Sequence, residues 1–347
     1  MWKRIVFCQL LAVLGCDHDD NRQVEDDGTG GKPDPEQEIK LDLAVVGDSL
    51  ATGFFSDTTI GFTTTEAAAK QHPIIGKLMK LENLGRLPPA SELDTMMKQK
   101  YENPFTCAED KSECGFSYQH QAGVANDKVK NAAVSGSRVD NLLTQLNQIE
   151  KAGNAKTYIV PVGGNDYCAA AFKQADYVAS MKKVIDKILS ANDSAQIIIV
   201  AIPNIVELFK TIAPPNTMAL EVNSITDTLI IKGLGGKKEI QLRCKHIRDG
   251  EKIHQNAPDV PTFCPRISDN LPAAGARAAF FATKKQELDA ANQATAALVA
   301  GYSNNRIKFA AGVAELAFTA ADISADCVHP SRAGQKKLAA AIWQYKF

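Results

Sequence analysis

The stretch "LDLAVVGDSLATG", residues 41–53, joins an apolar run to a polar one. An apolar run stops at Gly47, and Asp48-Ser49 follow at once. A short β-rich run closed by glycine reads as a strand. Asp or Ser directly after it reads as a helix start, because both side chains accept backbone N–H bonds. A serine at the end of a buried strand also suits a catalytic nucleophile. One junction does not separate the two roles. The nucleophile reading needs a base, an orienting acid and oxyanion donors elsewhere.

The same strand-to-helix junction recurs along the chain. Further strands are expected in "KVKNAAVSG" (128–136), "KTYIVPVGGND" (156–166), "AQIIIVAIPNI" (195–205) and "RIKFAAGVAEL" (306–316). Runs this apolar suit strands covered on both faces, as in a parallel sheet. Between and after them, residues 138–152, 175–191, 278–302 and 333–345 repeat apolar positions at helical spacing. Alternating strands and helices predict a doubly wound α/β sandwich. Two regions break the rhythm, near 56–125 and 204–280. Both are rich in polar, Pro and Gly residues and read as insertions on the carboxyl edge of the sheet, where such folds place their binding crevice.

The amino terminus is a different kind of segment. In "MWKRIVFCQLLAVLGC" (1–16), Lys3 and Arg4 precede a short apolar run, too short to span a bilayer as a mature helix. It reads as an export signal over residues 1–15. Its end, Val13-Leu14-Gly15-Cys16, resembles the bacterial lipobox, which implies cleavage before Cys16 and lipidation of that cysteine. Residues 16–39 are acidic, rich in Gly and Pro and nearly free of large apolar side chains. Such a segment cannot bury enough surface to offset its ordering entropy and reads as a flexible tether. Residues 40–347 then form a single folded domain. The expected location is the bacterial cell envelope, lipid-anchored, with the inner and outer membrane both open.

Composition narrows the partners. The formal net charge is −1, with 23% charged and 45% hydrophobic residues and no basic stripe. Nucleic acid is therefore not an expected partner. Cys8 falls in the signal and Cys16 at the anchor. The other six cysteines form an even set, which in an oxidising compartment suggests disulfides. Neighbours in sequence give Cys107–Cys114 and Cys244–Cys264, leaving Cys168–Cys327 as the long-range bond, although six cysteines allow many other pairings.

The base candidate lies in "ADCVHPSRAGQKKLAAAIW", where Asp326 and His329 stand three apart before the last helix. Pro330 biases His329 away from helical backbone, so the ring can turn from the helix. A carboxylate such as Asp326 can hold one ring nitrogen while the other takes a proton from a serine. Oxyanion donors are suggested by Asn165 in "VGGNDYC" and by the backbone of Gly136 in "NAAVSGSRVDNL". Each fragment alone also reads as an ordinary turn or cap.

Taken in order, the four fragments resemble the GDSL esterase/lipase family, or SGNH hydrolases. They are "GDSL" at 47–50, "NAAVSG" at 131–136, "GGND" at 163–166 and "DCVH" at 326–329. The resemblance implies a three-layer α/β/α sandwich around a mainly parallel, flavodoxin-like sheet. It implies Ser49 as nucleophile, His329 as general base and Asp326 as its orienting acid. The oxyanion hole would comprise the backbone N–H groups of Ser49 and Gly136 with the Asn165 side chain. It implies ester hydrolysis with no cofactor or metal. "GGNDYC", "AIPNIVEL" and "DCVHPSRAGQKKLAAAIW" are also similar to the phospholipase-B-like branch, where a cysteine follows the GGND block and another precedes the histidine by two. An ester substrate, lipid or acylated small molecule, is expected. A carbohydrate O-acetyl esterase, an acyltransferase and a ligand- or partner-binding lipoprotein on the same scaffold are the alternatives.

Three other patterns carry less. "GLGGKKE" (233–239) lacks the spacing of a phosphate loop and the Ser or Thr after its lysine. Cys244, His246, His254 and Cys264 could be drawn as a metal site, but export favours a disulfide. Arg138 reads as a residue at a helix start rather than an anion contact.

Overall fold

The computed structural model describes residues 39–53, 56–57, 63–64, 103–107, 115–211, 221–222, 264–268, 270–303, 305–324 and 328–347. Five strands form one sheet: β1 (Leu41–Val45), β2 (Val129–Asn131), β3 (Ala155–Pro161), β4 (Gln196–Val200) and β5 (Ile307–Ala310). Their spatial order is β2-β1-β3-β4-β5, and every pairing is parallel. This is the flavodoxin-like order, in which the chain reverses its direction of travel between β1 and β3. The α/β sandwich expected from the sequence is the fold observed.

Alternation along the strands sorts the core into two faces. On one, Ala44, Tyr158, Val160, Ile197 and Ile199 meet helices α3 (Leu142–Ala152), α5 (Gln174–Ala191) and α8 (Arg277–Gly301). On the other, Leu43, Val45, Ile159, Ile198 and Val200 meet α9 (Arg332–Trp343), the short α2 (Tyr118–Gln121) and Phe105. Burying each Val, Leu or Ile among them contributes about 1.5–3 kcal/mol. Both faces are covered along β1, β3 and β4, which explains their long apolar runs, whereas β2 at the sheet edge (Val-Lys-Asn) is only partly buried.

The loops that leave the strands at their carboxyl ends carry the short helices α1 (Ser49–Thr52) and α4 (Gly164–Cys168), and α6 (Ile205–Thr211) follows β4. Thr63–Thr64 pairs in parallel with Glu221–Val222, joining one expected insertion to the other. Most of the two insertions lies outside the described residues, as do the signal, Cys16, nearly all of the tether, the 233–239 loop, His246 and His254. No helix among the described residues is long and apolar enough to cross a membrane.

The disulfide expectation needs correction. Cys168 is bonded to Cys264, 96 residues away, and not to Cys327; Cys264 is therefore not bonded to Cys244. Cys168 ends α4, and Cys264 precedes α7 (Pro265–Ser268). Arg266, two residues on, lies over the rings of Tyr167 and Phe172 at 5.5 and 5.3 Å and bonds Glu287 at 2.8 Å. The packing of α7 on α4 brings these two sulfurs together. Pairing by nearness in sequence fails because loop closure costs little more for a long loop than for a short one, so tertiary contact decides. Cys107 is also disulfide-bonded. Cys114, Cys244 and Cys327 lie outside the described residues.

Candidate active site

The apolar run of β1 ends at a tight crossing. A Cβ on Gly47 would lie 2.3 Å from the Pro161 carbonyl oxygen on β3, so no side chain fits. Asp48 then caps α1: its Oδ1 accepts the Leu50 N–H at 3.0 Å. The capping role falls to Asp48, and Ser49 is the first residue inside the helix rather than its cap. Ser49 is buried, yet its Oγ is 2.7 Å from His329 Nε2 across 280 residues of sequence.

His329 reaches that position on a clip. The Ser324 N–H donates to the His329 carbonyl at 2.7 Å, and the Ser331 N–H donates to the Asp322 carbonyl at 2.8 Å. Ile323 and Pro330 form an antiparallel bridge between them. Ser331 is then the residue from which α9 starts, and its hydroxyl donates to the Ala321 carbonyl at 2.6 Å. The extended backbone expected before Pro330 is thus built into a small hairpin. Lys337 on α9 ties Asp322 down at 2.5 Å. Burial raises the Asp322 carboxyl, but the bonds from Lys337 and Thr319 outweigh it and leave it below its ordinary value. Asp326 lies outside the described residues.

Two further loops, after β2 and β3, are bonded to each other, and the second of them lines the same pocket through Asn165. Residues 134–137 close a turn in which the Ser137 N–H donates to the Val134 carbonyl at 3.1 Å. Gly136 has φ 80°, the left-handed value that the third position of a type II turn requires. Asn165 sits in α4, and its Nδ2 donates to the Ser137 carbonyl at 3.0 Å. Asp166, next to it, accepts the Val139 N–H at 3.1 Å. Arg138 starts the one-turn helix at 139–141, its N–H donating to Asn141 Oδ1 at 2.8 Å.

Ser49, Asn165 and His329 line one pocket of about 650 Å³, its open mouth included. Leu50, Ile205, Leu208, Phe318, Ile323 and Leu338 supply much of the rest of its wall. Asp48, which also lines the pocket, and Asp166, next to Asn165, are carboxyls in unusual states. Burial pushes Asp48 up to about 6, although the Leu50 N–H and the charge of His329 pull it down. Burial pushes Asp166 up to about 7, against the Val139 N–H and Arg138, and the negative charge of Asp48 adds to the rise. A serine oxygen bonded to an imidazole in a largely apolar pocket beside an amide donor is an arrangement fit for acyl transfer.

The family model for GDSL-like lipase/acylhydrolase matches residues 43–342 of this chain. The chain belongs to that family. It is a GDSL lipase/acylhydrolase, a hydrolase acting on ester bonds. No curated protein sequence matches it significantly. Among solved structures, an extracellular lipase from Streptomyces rimosus is similar at 15% identity with a TM-score of 0.37, covering 88% of this chain and all of the lipase.

Within this GDSL chain the sequence reading missed several residues around the site. Asp48 was expected only as an alternative helix cap, not as a buried acid. Ser137 and Gln145, which join the loops to one another, had no assigned role. Gln145 did leave a trace. It falls on the apolar stripe of its helix with Leu142, Leu146 and Ile149, and all four are buried. A polar residue on such a stripe calls for hydrogen-bond partners.

Proposed function

We propose that this GDSL hydrolase works through a covalent acyl-serine intermediate formed on Ser49, with fatty-acyl esters such as lipids or phospholipids as substrates. The carrying observation is the 2.7 Å contact between Ser49 Oγ and His329 Nε2 at the base of an apolar pocket. His329 takes the hydroxyl proton as Ser49 attacks the ester carbonyl. The backbone N–H groups of Ser49 and Gly136 and the Asn165 amide receive the developing oxyanion. Each such donor is worth about 100- to 1000-fold in rate. The Asn165 amide carries two N–H bonds, so holding Ser137 leaves one for the substrate oxygen. The alcohol leaves with the proton from His329, and water releases the acyl group by the same route. Asp326 is the acid that orients His329. Cys16 carries the lipid anchor that holds residues 40–347, through the tether, at the surface of a bacterial envelope membrane, close to lipid substrates.

The test is hydrolysis of p-nitrophenyl esters from acetyl to palmitoyl by the full chain, beside Ser49→Ala. Turnover should rise with chain length, and the variant should lose on the order of 10⁴-fold or more. Activity confined to acetyl esters would overturn the fatty-acyl preference in favour of a deacetylase. No turnover above the variant, with no Ser49-dependent labelling by a fluorophosphonate probe, would leave a ligand-binding protein. Labelled fatty acid should enter the wild type and not Cys16→Ala; equal incorporation would sink the anchor.

A further inference from the structure

Gln145 lies on α3, on the face that meets the sheet, and is buried. Its side-chain amide pairs with the backbone of Gly47 as a neighbouring strand would. The Gly47 N–H donates to Gln145 Oε1 at 2.7 Å, and Gln145 Nε2 donates to the Gly47 carbonyl at 2.9 Å. The second Nε2 proton goes to Ser137 Oγ at 2.9 Å. The Ser137 carbonyl in turn accepts from Asn165 Nδ2 at 3.0 Å. One side chain therefore joins the strand end two residues before Ser49 to the loop that carries Gly136, and Asn165 holds that loop in turn.

We infer that Gln145 is a positioning residue for the acyl-transfer step: it sets the nucleophile's strand end and the oxyanion loop at one fixed spacing. The inference rests on the acyl-serine reading above. The physical case is that the three groups that must converge on one carbonyl come from three separate loops. The sheet fixes where β1 ends, and past β2 two bonds carry the ladder on, from the Ala132 N–H to the Val45 carbonyl at 2.8 Å and from the Val134 N–H to the Gly47 carbonyl at 3.1 Å, while Thr52 Oγ1 meets Ser135 Oγ at 2.9 Å. Gln145 supplies three bonds at that junction from a rigid helix. Fully satisfied buried amides of this kind rigidify their surroundings. Misplacing reacting groups by about 1 Å costs about 100-fold in rate.

The experiment compares the full-length wild type with Gln145→Met, Ser137→Ala and the double variant. Methionine keeps an unbranched chain of similar length and removes every bond. Gln148→Met, on the exposed side of the same helix, is the control. kcat and KM for a p-nitrophenyl ester are measured at a temperature where circular dichroism shows every variant folded. Hydrogen exchange of the Gly47 amide is followed in parallel. Gln145→Met should lower kcat by about 10- to 100-fold, leave KM within about threefold, and speed exchange at Gly47. Ser137→Ala should act in the same direction, and the double variant should be no worse than Gln145→Met, because residues acting through one network are not additive. A kcat within about twofold of wild type, a loss that follows only the unfolded fraction, or losses that multiply would overturn the inference. Absence of wild-type turnover would instead sink the acyl-serine reading and with it the catalytic role; unchanged exchange at Gly47 would separately show that Gln145 does not clamp the junction.

Discussion

The two halves of the site are held in different ways. Ser49 and Asn165 follow β1 and β3, so the register of a parallel sheet delivers both to one pocket near the point where the strand order reverses, and Asn165 bonds Ser137 in the loop after β2 that carries Gly136. His329 has no strand beneath it. It rides on a hairpin of backbone bonds between residues 322 and 331, anchored by Asp322, Lys337 and the start of α9. The first half is positioned by the central sheet and the second by a local clip, buried but outside the sheet. Damage to the first should therefore unfold the protein as well as silence it. Damage to the second should reach activity before stability.

The sharpest way to break this contrast is Gly47→Ala. A methyl group 2.3 Å from the Pro161 carbonyl must force β1 and β3 apart at their ends. A loss of about 3 kcal/mol is expected, the upper end for overpacking, measured by urea denaturation, together with loss of esterase activity. A stable, active variant would mean that the strand ends are not the rigid half.

Asp48→Asn sharpens the comparison within the rigid half. A carboxyl raised by burial binds its proton more tightly when folded than when unfolded. Its contribution to stability is therefore fully present below the unfolded value of about 3.9, and is lost as pH rises through about 6. Asp166 acts in the same sense up to about 7. Wild-type stability should fall between about pH 4 and pH 7. Asparagine can still cap α1 and carries no charge, so the variant should be the more stable protein at pH 8, by on the order of 3 kcal/mol. Denaturant midpoints against pH check this. A wild-type curve parallel to that of the variant would refute it.

Lys337→Met probes the clip and is the smallest change. The lysine is partly exposed and Asp322, although buried, keeps its bonds from Thr319, so losing the pair should cost about 1–2 kcal/mol. kcat should nevertheless fall, because the base of the hairpin loosens beneath His329, while Gly47 exchange stays as in the wild type. A stability loss as large as that of Gly47→Ala would erase the distinction between the two halves.

Much of this was legible from local pattern. The central strands could be placed because both faces of the sheet are buried there, so each reads as an apolar run, while the edge strand β2 carries Lys130 and is only partly buried. Ser49, Gly136 and Asn165 could be found because each follows an expected strand. Gln145 was visible only as a polar residue on an apolar stripe; the stripe indicates burial without naming the partner. Cys168–Cys264 was misassigned because nothing in the spacing of the cysteines encodes the docking of α7 on α4.

The sequence by itself determined the alternation of strands and helices, the family and the residues at the strand ends, since periodicity and chain-adjacent turns are local properties. The family resemblance already implied the flavodoxin-like strand order and the pairing of Ser49 with His329; the tertiary structure alone decided the clip that brings them to 2.7 Å, the disulfide partner of Cys168 and the raised carboxyls of Asp48 and Asp166. Each of these depends on which distant surfaces pack together and how far water is excluded between them.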